Sequence, residues 1–456
     1  MTRGLAGLLR SGWRPNRGHW SVASGWGGRI AAAVAQFASV RVLTATLGVD
    51  GYGAFAVVAG LLAWFALADL GFGYGLQNHI SERRVAGESS ITAVLGVVRL
   101  LTVTTVVICV VAIAVSPWVG PFLLGKIEAV GRQEAVLAFA IFGVLAAITG
   151  AGSVALKICF GNHRGYVAYA ITTVAAIAGL AGLAIDAALA SHHTLSRAVL
   201  LFFAPGAVLP LMFLVGLVSR YRGAEPVERR DERAILGRLW RVSRWFLLFA
   251  TLGAMVLNLD YVILARTVAP GEIATYSVFS RVYALVLVLF ASVLSTYWPV
   301  IAESFGRGET DAVFTILRRS VLIGAAIVLA VTLAFWLLLG LIGRLLSPHD
   351  PLVLPAHLLP VFFTYAMVRV WTDACTIVVV GEGSVAAQCG IVAVQAVCSV
   401  VLGVLGAHFY GVPGFMTGLT VSYLVTAAWM LPLFITRVIM PRSRRRDAVA
   451  MAGGAA

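Results

Sequence analysis

Six ionisable side chains lie deep inside apolar runs of this chain: Arg41, Arg281 and Arg369, and Asp69, Asp260 and Asp373. A charge at bilayer depth is costly, so each is a candidate for function by default. A guanidinium stays charged when buried and grips phosphate oxygens through paired N–H bonds. Two or three of them suit a diphosphate or another polyanionic head group, and Arg41, Arg281 and Arg369 are the candidates for that role. Asp69, Asp260 and Asp373 could bind a coupling proton or sodium ion, or neutralise an arginine. Arg369 and Asp373 stand four apart and share a helix face, so a structural ion pair is the competing reading. Arg41 and Arg281 have no carboxylate at helical spacing within their own runs. For them the competing readings are pairing with Asp69 or Asp260, and snorkelling to a helix end. Arg29 and Arg99 read as snorkelling, and Asp186 as interfacial.

The elements that must position these groups are membrane-spanning helices. The chain has 456 residues and is 60% hydrophobic, and the apolarity comes in blocks. About 20 apolar residues cross a hydrocarbon core of roughly 30 Å. The blocks predict helices over 26–48, 52–76, 93–116, 134–156, 166–189, 197–219, 245–267, 274–297, 317–342, 355–380, 385–407 and 413–436. The fold class is therefore an all-α polytopic membrane protein with about twelve spans. The domain reading is a cytoplasmic N-terminal tail (1–25), a six-helix bundle (26–219), a basic connector (220–244), a second six-helix bundle (245–436) and a basic tail (437–456).

Charge fixes the orientation. The formal net charge is +14, but the arginines cluster on alternate loops. With the N-terminus inside, about 22 of the 34 Lys and Arg fall on cytoplasmic segments, as the positive-inside rule requires. Both termini are expected in the cytoplasm and the protein in the inner or plasma membrane. Nucleic acid is not an expected partner. The longest hydrophilic stretch, 219–244, is too short to bury a core of its own, so no soluble catalytic domain is expected.

A short repeat divides the chain. Ile80-Ser81-Glu82 through Gly87-Glu88 and Ile301-Ala302-Glu303 through Gly308-Glu309 both fit I-x-E-x-x-x-x-G-E. Each follows a helix that opens with Tyr-x-x-Phe, at Tyr52/Phe55 and at Tyr276/Phe279. A match this short could arise by chance, but both copies fall at the same point of a six-helix half. That is the pattern of two parallel bundles around a cleft, which open it to alternate sides by rocking.

Leu47-Gly48-Val49-Asp50-Gly51-Tyr52-Gly53, then Ala68-Asp69-Leu70-Gly71-Phe72-Gly73, resembles the opening of the Wzx-type polysaccharide and O-antigen flippases of the MOP superfamily, relatives of the MATE exporters. Leu259-Asp260-Tyr261, the stretch from Tyr276 to Arg281, and the exit from Trp298-Pro299 to Gly308-Glu309 look like that family's seventh and eighth helices. The resemblance implies movement of an undecaprenyl-diphosphate-linked oligosaccharide from the inner to the outer leaflet. It also implies membrane lipids and polysaccharide polymerase or assembly proteins as partners. The family often has a basic residue just before the Leu-Gly turn, where this chain has Thr46. The alternative reading is a MATE-like or other small-molecule or lipid exporter, which would favour carboxylates over arginines.

Other chemistry finds little footing. No cofactor is expected beyond a proton or sodium gradient. Cys109, Cys375, Cys389 and Cys398 fall in apolar blocks and Cys159 in an expected loop, none with metal spacing. His192 and His193 read as a surface loop. His79 and His163 have no convincing carboxylate partner by spacing, so the chain is not expected to be an enzyme. Gly71-Phe72-Gly73-Tyr74-Gly75 lies at a helix end with no strand before it, so close packing or a hinge is favoured over nucleotide binding. Pro299, Pro360, Pro413 and Pro432 are candidate kink sites.

Overall fold

The computed structural model describes residues 17–85, 90–125, 127, 130–162, 164–221, 229–306, 309–346, 354–382 and 384–441. Among them the chain is helical throughout and contains no strand. The helices are α1 (Arg17–Gly60), α2 (Leu62–Phe65), α3 (Phe72–Val85), α4 (Ile91–Leu124), α5 (Arg132–Gly161), α6 (Gly165–Leu189) and α7 (Leu195–Tyr221) in the first half. The second half holds α8 (Arg229–Asn258), α9 (Asp260–Thr267), α10 (Pro270–Gly306), α11 (Thr310–Leu346), α12 (Leu358–Glu382), α13 (Val385–Val425) and α14 (Ala427–Phe434). Residues 1–16 of the N-terminal tail, the basic tail from residue 442, residues 222–228 of the connector, His163, Gly87–Glu88 of the first I-x-E motif and Gly308 of the second lie outside the described residues.

Among the described residues nine helical runs are long and apolar enough to span a membrane. Two of them, Ile30–Gly60 and Ala387–Ile439, turn back on themselves and contribute a further crossing each. The turns fall at Gly48 (φ 73°) and at Tyr410–Gly411 (Gly411 φ 59°), where a left-handed backbone lets the chain reverse in about one residue. The remaining crossing is α8 with α9. Its arginine-rich first half keeps it out of the apolar set, yet it continues straight into the span. Twelve crossings result, and they bring residues 17 and 441 to one face, called here the terminal face; the other is the distal face.

The spans match the hydropathy blocks but run longer. Polar residues at the ends of the apolar blocks still hydrogen-bond along the helix, and long side chains there reach water. The crossing expected at 245–267 starts at Arg229, so the basic connector is mostly helix. Cys159, expected in a loop, is instead buried in α5, because that helix continues to Gly161. Of the four candidate prolines, Pro413 sits beside the reversal at Gly411. Pro432 precedes one π-helical turn, Ile435–Ile439, which relieves the carbonyl that the ring excludes. Pro360 lies in the first turn of α12 and Pro299 inside α10, and neither interrupts its helix.

Each half packs around aromatic rings. Phe55, Phe142, Phe202 and Phe203 interlock in the first half. Tyr276, Phe279, Tyr283, Phe335, Phe362 and Phe415 do so in the second. In lipid the hydrophobic drive between helices is absent, so such ring contacts and close backbone approaches hold the bundles. The crossing after Gly48 breaks midway. A 3₁₀ turn over Ala66–Asp69 leads into Leu70 (φ 52°) and Gly71 (φ 73°) before α3 begins. Two left-handed residues in succession need support. The carboxylate of Asp69 gives it by accepting the Gly71 N–H at 2.8 Å.

The two halves meet along α1–α4 on one side and α8–α11 on the other. Near the distal face Thr44 Oγ1 donates to the Leu346 carbonyl, and the Tyr52 and Ser277 hydroxyls share a hydrogen bond. Arg266 donates to the Phe122 carbonyl at 2.7 Å and lies 3.9 Å over the Phe122 ring. Nearer the terminal face Gly71 and Gly75 lie against Ser243 of α8, and Phe72 stacks on Trp240 at 5.6 Å. The glycine run is thus a packing surface, not a phosphate loop.

Candidate functional site

The halves meet around Arg281, eleven residues into α10 and so near mid-membrane. Its Nη1 donates to the Gln36 carbonyl of α1 at 2.6 Å, and its guanidinium lies 5.8 Å from the Tyr52 ring centre. It forms no ion pair among the described residues. One N–H is spent on a carbonyl and the charge stays uncompensated, which leaves a fork of donors available to an anion. Tyr52 and Ser277 close the cluster on the distal side.

Asp260 opens α9, directly after the break that separates it from α8. It is buried, its Oδ2 accepts the Tyr276 hydroxyl at 2.6 Å, and its Oδ1 has no hydrogen-bond partner among the described residues. The Tyr261 ring packs on that of Tyr276 and against Gly60 of α1. This carboxylate therefore stands at a helix discontinuity on the interface between halves. The Tyr52/Tyr276 offset is 224 residues (276 − 52), and the same offset carried back from Asp260 reaches Gln36. The first half thus has an amide where the second has a carboxylate.

The other predicted residues are dispersed. Arg369 Nη2 bonds Asp373 Oδ2 at 3.1 Å, Nη1 reaches the Tyr365 hydroxyl at 3.3 Å, and the guanidinium sits 5.3 Å from the Tyr423 ring centre. The i,i+4 spacing is realised as an ion pair. Asp69 supports the break before α3, with Lys157 of α5 beside it near Gly73. Arg41 is exposed on the stripe of α1 that carries Ile30 and Val34. Five residues from Gln36, it points about 140° away around the helix, so Arg41 and Arg281 do not converge. Asp186 pairs with Arg197 at 2.5 Å and His193 at 3.1 Å at the distal end of α6. Sequence reasoning did not reach Ser277, Gln36 or Tyr423. Tyr52 and Tyr276 did appear, as the repeat's opening residues, and that was the available signal.

A cavity of about 240 Å³ lies inside the first half, walled by α1, α2, α5, α6 and α7. Gln36 lines it, so the residue whose carbonyl holds Arg281 also faces this space.

An O-antigen export protein of Yersinia pseudotuberculosis is 30% identical to this chain over 413 residues, which cover 90% of the chain and 94% of that protein. The chain belongs to the O-antigen exporter family. An O-antigen transporter of Salmonella typhi, another relative, is 26% identical over 90% of the chain and 94% of its own length. The MatE family model matches residues 247–405. Among solved structures, an inward-facing MATE-family multidrug resistance transporter covers 93% of the chain and 99% of itself at TM-score 0.76 and 14% identity. The lipid II flippase MurJ, inward closed, covers 92% of the chain and 87% of itself at TM-score 0.67 and 11% identity. These two likenesses establish for the exporter family member here the MOP fold of two six-helix bundles.

Proposed function

We propose that this protein moves undecaprenyl-diphosphate-linked oligosaccharide repeat units from the inner to the outer leaflet by alternating access. Kinship over nine-tenths of the chain with proteins named for O-antigen export carries the reading. The uncompensated Arg281 at the junction of the halves supplies the chemistry: a fixed cation for the diphosphate, in a seam that rocking would open. Arg41 would meet the phosphates near the distal face, and Arg369, already paired, would contribute least. The polyprenyl chain stays in lipid throughout.

In this proposal the terminal face is cytoplasmic, since Arg83, Arg238, Arg241 and Arg244 lie on that side. The membrane is the inner or plasma membrane. Polysaccharide polymerase and assembly proteins would receive the product. Of the three carboxylates, Asp260 is the candidate for coupling to a proton or sodium gradient. Asp69 is committed to a turn and Asp373 to Arg369, whereas Asp260 keeps one buried oxygen unpartnered beside a helix break. Asp260→Asn should keep downhill exchange and lose stimulation by an imposed gradient.

The deciding experiment uses the purified protein in liposomes with a fluorescent undecaprenyl-diphosphate-linked sugar and an impermeant quencher. Protein-dependent exchange of the label between leaflets is the expected result. No exchange under either gradient would shift the reading to a MATE-like exporter.

A further inference from the structure

Tyr261 stands between the two groups that the proposed cycle uses. It follows Asp260 in the chain, in the first turn of α9. Its ring meets that of Tyr276, whose hydroxyl binds the Asp260 carboxylate, edge to face with centres 5.4 Å apart. Its own hydroxyl hydrogen-bonds the side chain of Ser280, the residue before Arg281. The Arg281 guanidinium and the Tyr52 hydroxyl lie within electrostatic reach of that oxygen. Across the seam the ring packs on Gly60 so closely that a Cβ there would collide with it.

These contacts form a path from the carboxylate to the arginine. No ion pair joins Asp260 to Arg281 among the described residues, so direct charge pairing is not the link. The groups around Asp260 are Tyr261 of α9, Tyr276 of α10 and, beyond Tyr276, Tyr365 of α12. From α13, Phe415 packs on Tyr276 and Gly403 lies near Ile263. A cation taken up by the unpartnered Oδ1 would cancel the charge that Tyr276 now answers, at the start of a helix whose first turn has no preceding turn to brace it. Tyr261 belongs to that turn and cannot shift alone. Its ring is gripped by Gly60 and Tyr276 and its hydroxyl by Ser280, and close-packed groups pass a displacement on rather than absorb it.

We infer that Tyr261 is the positioning residue through which a cation at Asp260 alters the grip of Arg281 on the diphosphate. The inference rests on the flippase reading and adds to it the link between gradient and substrate. Linkage makes it reciprocal: the cation changes the affinity for the anion by the factor by which the anion changes that for the cation. One hydroxyl separates this role from plain packing. Tyr261→Phe keeps the ring against Gly60 and Tyr276 and removes the bond to Ser280.

The test uses the full chain in liposomes with the fluorescent undecaprenyl-diphosphate-linked sugar, with and without an imposed proton or sodium gradient. Each variant's rate under a gradient is divided by its own rate without one. Wild type should respond to one of the gradients, and Tyr261→Phe and Ser280→Ala should each bring the ratio near unity. The double variant should do no more than either single, because all three lose the same bond. In detergent, the wild-type affinity for inorganic pyrophosphate should differ about fivefold or more with and without the cation whose gradient stimulates, and by less than about twofold in Tyr261→Phe. If one single variant fails to fold, the other decides. Variants that flip more slowly but keep the wild-type ratio would show that Tyr261 only packs, and overturn the inference. Wild-type protein that moves the lipid with no response to either gradient overturns it too, and leaves the flippase reading in place. Wild-type protein that moves no lipid overturns both.

Discussion

The arginines divide by what each guanidinium already touches. Arg281 has given one N–H to a carbonyl and meets no carboxylate among the described residues. Charge-assisted hydrogen bonds are the strong ones, so Arg281→Ala should cut flipping about tenfold or more. Arg281→Lys should recover only part, because a point charge cannot reproduce the fork. Arg41→Ala should retain more activity than Arg281→Ala, since its side chain leaves α1 on another face; initial rates in the liposome assay compare the three. Arg369 and Asp373 are 12% and 31% exposed, a pair partly open to solvent. Asp373→Asn should destabilise the protein in detergent by about 1–2 kcal/mol, less than a fully buried pair would lose. Arg369→Met in the same background should restore most of it, as thermal unfolding would report. A double variant no more stable than Asp373→Asn would mean that the pair is not what holds α12 in place.

At the scale of elements, three discontinuities set the site: the reversal at Gly48, the broken crossing at 66–71, and the gap between α8 and α9. The second and third free backbone groups within the membrane, tolerated only where protein rather than lipid surrounds them. Gly71 shows how tightly the second is built. Its φ is 73°, and a Cβ there would meet the Ser243 carbonyl and the Leu247 nitrogen of α8. Gly71→Ala should cost about 1–2 kcal/mol from backbone strain alone, and more from the contact across the halves. Gly390→Ala, in an open part of α13, should be neutral or stabilising by up to about 1 kcal/mol. Melting temperatures of both variants check the contrast. Equal effects would show that α3 and α8 can separate without loss.

The whole molecule is latched between its halves near the distal face. Thr44 with Leu346, Tyr52 with Ser277, and Arg266 with Phe122 all cross there. Alternating access requires those contacts to part once per cycle. In a background without the five native cysteines, Thr44→Cys and Leu346→Cys joined by a short cleavable bis-thiol reagent should stop flipping. Cleavage of the linker should restore it. Transport that continues while the link is intact would mean that this seam does not open.

The sequence alone determined the environment, the number of spans and the family. Twelve apolar blocks and a one-sided arginine count are local properties that lipid thickness and membrane charge read directly. It also offered the Arg369–Asp373 pair as one of two readings, because i,i+4 neighbours meet on any helix, and the structure holds that pair. Only the tertiary structure decided what the remaining charges face. Asp69 and Asp260 look alike as carboxylates in apolar runs, yet one supports a turn and the other keeps a free buried oxygen. Arg41 and Arg281 looked equivalent by their place in each half, but helix rotation leaves Arg41 on an exposed stripe and brings Arg281 to Gln36. The cavity was invisible in the sequence for the same reason. Its lining comes from residues on α1, α2, α5, α6 and α7, each unremarkable in its own apolar run, and only packing sets them around one space.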